Sequence, residues 1–63
     1  MLKKNRGGYP KIGNNVLIGA NSVLIGDIKV GNNSIIGAGS VVLVDVPNNC
    51  VFCGNPAKFI KYI

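Results

Sequence analysis

The chain has no histidine and no tryptophan, two acidic residues, and an aromatic complement of two Tyr and two Phe. Each shortage closes off some chemistry. Without histidine there is no imidazole to act as a general base near neutral pH or to ligate a metal. Cys50 and Cys53 form a C-x-x-C pair, but a structural zinc site needs a tetrahedral ligand set that this sequence cannot complete. A thioredoxin-like role for the pair requires a βαβ setting, which the sequence lacks. The two cysteines therefore read as small apolar residues. Asp27 and Asp45 are the only acids, and both fall at predicted bends, where they read as turn caps. The scarce aromatics do not form the stacking platform of a nucleic-acid binder. No run approaches the roughly 20 apolar residues that cross a bilayer. The opening M-L-K-K-N-R is not followed by the apolar stretch of a secretory signal. The expected setting is the cytoplasm, with neither membrane nor nucleic acid as partner.

What is present is a small, apolar chain of 63 residues, 48% hydrophobic and 14% charged. That balance argues against disorder. A single core of this size supplies about 3–5 kcal/mol, so a staple or self-association is expected. The net charge is +5, yet the basic residues cluster at the ends. Lys3, Lys4, Arg6 and Lys11 lie at one end, Lys58 and Lys61 at the other, and Lys29 alone stands between them. Solvated termini account for this layout better than a nucleic-acid surface, which sets basic residues along one element.

The organising signal is a period of six. Ile12, Ile18, Leu24, Val30, Ile36 and Val42 follow one another at six-residue steps. The next position is Gly in four of six cases: Gly13, Gly19, Gly31 and Gly37, with Ile25 and Leu43 in the other two. Four residues after each aliphatic come Val16, Ser22, Ile28, Ser34, Ser40 and Val46. This period matches neither a helix nor a long strand. Interior Gly costs about 1 kcal/mol relative to Ala in a helix. Short strands joined by G-N-N, G-A-N and G-A-G bends fit instead, since Gly and Asn accept left-handed backbone. A hexapeptide repeat is the signature of a parallel β-helix. Residues 12–29 and 30–47 would each make one triangular coil, with the stepped aliphatics and the small fifth residues facing inward. The expected organisation is a basic N-terminal loop over 1–11, a β-helix over 12–47 and a C-terminal cap over 48–63. Repeat folds need about three units and closed ends. The cap closes one end, so the upper face of coil one is expected to expose apolar side chains and strand edges. The G-A-G of 37–39 lacks the third Gly and the βαβ unit of a dinucleotide fingerprint.

The run from Gly7 to Lys58 resembles the C-terminal part of hexapeptide-repeat acetyltransferases, above all serine O-acetyltransferases and related sugar or polysaccharide O-acetyltransferases. I-G-A-G-S-V-V, D-V-P and G-N-P-A-K, in that order, carry the resemblance. It implies an all-β, left-handed parallel β-helix that assembles as a homotrimer, with acetyl-CoA in a groove between neighbouring prisms. It further implies that Gly19 and Ala20, and Gly37 and Ala38 one coil below, line the pantetheine arm, and that Lys58 lies near the nucleotide end. Each glycine is equally accounted for by a tight bend, and Lys58 by a solvated lysine. The family's catalytic His lies upstream of the matched segment, and a second His commonly precedes P-K-I where Tyr9 stands here. Tyrosine, with a pKa near 10, is a poor base at pH 7. No residue of this chain is therefore expected to be catalytic, and the chain alone is expected to be inactive. Ile35 and Val44 stand where relatives often carry polar or cationic residues, so weaker coenzyme binding is expected. The competing expectation is a non-catalytic β-helix that serves self-association.

Overall fold

The computed structural model describes residues 8–63. The Gly- and Asn-rich bends cut the chain into two-residue strands. These are β1 (Lys11–Ile12), β2 (Leu17–Ile18), β3 (Val23–Leu24), β4 (Lys29–Val30), β5 (Ile35–Ile36) and β6 (Val41–Val42). Two longer strands follow, β7 (Cys50–Gly54) and β8 (Ala57–Tyr62). Three parallel pairings join coil one to coil two: Ile12 faces Val30, Ile18 faces Ile36 and Leu24 faces Val42. The constant offset in those pairs is eighteen residues, three hexapeptides per turn. Three separate sheets result, the walls of a triangular prism.

The offset then shortens. Val30 bridges Val46, and β5 pairs with β7 through Ile35–Val51 and Ile36–Phe52, an offset of sixteen. Four residues separate Val42 from Val46, where six separate Leu24 from Val30. The third corner has thus lost two residues, and the next turn begins early. β7 extends the second sheet in parallel, and β8 then folds back antiparallel to give the order β2-β5-β7-β8.

Alternation sends every second side chain inward. Val30, Ile36 and Val42 are at most 2% exposed, and Ile28, Val46, Cys50, Phe52 and Ala57 complete the core. The fifth-position residues also turn inward, where Ser34 and Ser40 are fully buried. Buried hydroxyls require partners. Ser34 donates to the Pro47 carbonyl at 2.6 Å, and Ser40 donates to the Gly37 carbonyl at 2.6 Å while accepting from the Gly54 N–H at 3.1 Å.

The bends divide their work between two residue types. Positive φ falls on Asn15, Asn21, Asn33 and Gly39, the third residue after Ile12, Ile18, Val30 and Ile36, whereas the corner after Leu24 takes it at Gly26, the second residue. The glycines directly after the aliphatics serve close packing. A Cβ on Gly19 would collide with the Ala38 backbone directly below it.

Candidate functional site

Four of the five residues singled out for coenzyme contact stack at one corner of the prism. Gly19 and Ala20 follow β2, and Gly37 and Ala38 follow β5 directly beneath. The Gly19 N–H donates to the Ile36 carbonyl at 2.8 Å, and the Gly39 N–H donates to the Ala20 carbonyl at 2.8 Å. The Gly37 carbonyl accepts from both Ser22 at 2.9 Å and Ser40 at 2.6 Å, locking the two coils together at this corner. Ala20 and Ala38 are exposed. Small methyl groups over a tightly bonded backbone leave a smooth vertical strip, open to a thin ligand.

Lys58, the fifth residue, is far away in sequence but joins the same column. It sits on β8 opposite Cys53 of β7. A Cβ built on Gly37 would lie 2.6 Å from the Cys53 Sγ. From top to bottom the column therefore runs Gly19–Ala20, Gly37–Ala38, Cys53, Lys58. Cys53 is exposed and Cys50 is buried, both as free thiols. Sequence reasoning missed the place of Cys53 in this column, because its position depends on the sixteen-residue offset.

The remaining polar groups lie elsewhere. Asp27 pairs with Lys11 at 3.4 Å on the surface, and Asp45 accepts the Lys29 N–H at 2.9 Å. Both acids thus serve bends of the first sheet. Tyr9 is exposed just ahead of β1. Ile35 points outward on the second sheet between Leu17 and Val51, and Val44 is exposed on the third corner. Among the described residues no group of three His, Cys, Asp or Glu could hold a metal ion. No described helix is long and apolar enough to cross a membrane.

Residues 9–43 match the bacterial transferase hexapeptide family (six repeats). The chain belongs to that family. The protein CapG of Staphylococcus aureus is 64% identical over 52 residues, covering 82% of this chain and 30% of CapG. The crystal structure of serine acetyltransferase from Neisseria gonorrhoeae superposes with a TM-score of 0.90 and 45% identity, over 98% of this chain and 24% of that one. A galactoside acetyltransferase in complex with coenzyme A superposes with a TM-score of 0.84 and 46% identity, over 86% of this chain and 27% of that one. The chain thus spans less than a third of the length of these hexapeptide proteins. It shares the left-handed parallel β-helix of its structural relatives, an exception to the usual right-handed crossover. It is related to serine and sugar O-acetyltransferases.

Gly19 is required by the stacking of coil one on the Ala38 backbone whether or not a ligand binds, and Gly37 is packed closely against the Cys53 side chain. Ala20, Ala38 and Lys58 carry no such requirement, which makes them the informative positions.

Proposed function

We propose that this chain is the C-terminal portion of an O-acetyltransferase that moves acetyl from acetyl-CoA to a serine-like or sugar hydroxyl, working in the cytoplasm as a homotrimer. The column from Gly19–Ala20 through Gly37–Ala38 to Lys58 carries the proposal. It combines a shallow strip of small residues with a terminal cation, in a chain whose relatives include an acetyltransferase complexed with coenzyme A. Acetyl-CoA supplies the activated thioester. The chain would hold the pantetheine arm against Ala20 and Ala38 and a phosphate against Lys58.

Acyl transfer to a hydroxyl also needs a base to take the proton as the oxygen attacks. The chain has no histidine, and its two acids are engaged with Lys11 and with the Lys29 N–H. The base therefore belongs to another segment, and the isolated chain is inactive. Val23, Ile25, Leu43 and Val44 are exposed aliphatics on the third sheet and its corner. This uncharged surface supports the packing of copies side by side.

Acetyl-CoA titrated into the chain, followed by NMR and thermal shift, tests the reading. Shifts at Ala20 and Ala38 that disappear in Ala38→Trp and weaken in Lys58→Ala are expected. A folded trimer that ignores acetyl-CoA would remove the coenzyme site. It would leave the second reading, a self-associating β-helix without chemistry, which the missing histidine favours.

A further inference from the structure

β8 differs from the strands of the coils in length and in position. The coil strands hold two residues each, whereas β8 runs for six and stands last in the order β2-β5-β7-β8. One of its edges pairs with β7, and among the described residues no strand pairs with the other. The Ile63 N–H donates to the Asn49 carbonyl at 2.8 Å, so antiparallel alternation turns the N–H and C=O of Tyr62 toward the open edge. The register shift between Val51 and Phe52 leaves Ile60 as an extra residue on β8. Past that bulge the alternation resumes, with Phe59 and Ala57 facing the open edge.

Side chains divide between the two faces of this strand. Residues opposite one another across a ladder share a face. Ala57, Phe59 and Tyr62 lie on the inner face. Ala57 is buried, Phe59 meets Phe52 edge-on, and the Tyr62 ring lies 4.9 Å from that of Phe59. The Phe59 and Tyr62 residues are nonetheless 47% and 70% exposed. Lys58 and Lys61 lie on the outer face, opposite Cys53 and Val51. Among the described residues the one ion pair joins Lys11 to Asp27, so neither lysine of β8 meets a carboxylate.

An open backbone edge, apolar rings on one side of it and two unpaired ammonium groups on the other specify an occupant. We infer that β8 accepts an extended acidic peptide as a further strand, its carboxylates facing Lys58 and Lys61 and its apolar side chains lying against Phe59 and Tyr62. Backbone bonds to the edge supply the pairing, and alternate side chains supply the selection. A second copy docked edge to edge about a two-fold axis does not fit. The open-edge residues of the two strands would pair with one another, which sets the lysines of both copies on one face, where like charges repel. Residues 1–7 do not fit either, since they hold Lys3, Lys4 and Arg6 and no acid.

The test titrates the chain with a capped peptide of about seven residues alternating glutamate and valine, followed by NMR. The amides of Ala57, Phe59 and Tyr62 should shift and exchange at least about tenfold more slowly. Those of Val30, Ile36 and Val42 report that the coil is intact. Lys61→Glu, at an exposed position, should weaken the glutamate peptide about tenfold or more and accept the matching lysine–valine peptide at the same amides. No change at those amides with the glutamate peptide would overturn the proposal, as would undiminished binding by Lys61→Glu. Equal binding of both peptides by the unaltered chain would also overturn it, leaving lysines that only keep copies apart. So would shifts centred on Lys11 and Lys29, which any polyanion would produce. Concentration-dependent protection of the β8 amides without peptide would overturn it in favour of a second copy. Acetyl-CoA is absent throughout, so this proposal and the acetyl-transfer reading can fail separately.

Discussion

Ile18 and Ile36 occupy the same station one coil apart, and the hexapeptide pattern treats them alike. Ile18 is 40% exposed and Ile36 is 1% exposed. The difference comes from what lies beyond each coil. Beneath coil two, β7 adds a parallel strand, Phe52 sits in register under Ile36, and β8 folds back so that Phe59 meets the Phe52 ring edge-on at 6.1 Å. Above coil one, nothing comparable lies among the described residues. A repeat gives each unit a face to cover and a face to be covered. Burial at a station thus reports on its neighbours as much as on its residue.

The most direct way to break the comparison is to truncate both isoleucines. Ile36→Ala should cost about 2–5 kcal/mol, as for a buried aliphatic that leaves a cavity. In so small a domain that loss should abolish folding. Ile18→Ala should cost well under half as much, because much of its side chain is already in water. Urea denaturation followed by circular dichroism compares them, and equal losses would mean that the open end is covered in solution.

A smaller effect should run against the trend. Gly19→Ala on the open coil forces a Cβ into the Ala38 backbone, whereas Gly37→Ala on the covered coil meets the Cys53 side chain first. Backbone cannot give way as a side chain can, and overpacking costs about 1–3 kcal/mol. Gly19→Ala should therefore destabilise more than Gly37→Ala, and Cys53→Ala should rescue Gly37→Ala alone. The same denaturation midpoints decide it.

The smallest effect belongs to the charged wall. Lys11→Met removes the 3.4 Å ion pair with Asp27, whose partners are both well exposed. Exposed pairs contribute about 0–1 kcal/mol, so the midpoint should barely move. A clear loss would show that the first sheet is less open to water than its surface indicates.

The column that carries the proposed function was only partly legible in advance. Gly19–Ala20 and Gly37–Ala38 share a corner because they are eighteen residues apart, and that spacing can be counted along the chain. Lys58 joins them only because the third corner drops two residues, β7 re-enters the second sheet at a sixteen-residue offset, and β8 turns back on it. Cys53 lies beneath Gly37 for the same reason, although its sequence position marks it only as half of a C-x-x-C pair.

Local chemistry was thus enough to set the coil. A six-residue period of aliphatics, with Asn and Gly where the backbone takes positive φ, assigns each station from Ile12 to Val42 from its own hexapeptide, whereas Val46, which the period reads as a fifth-position residue, begins the next turn under Val30. Tertiary structure decided which stations are sealed, which glycines are indispensable and what stands beneath the corner column. Those outcomes depend on contacts between coils, which arise from residues sixteen to eighteen positions apart and are invisible within any single repeat.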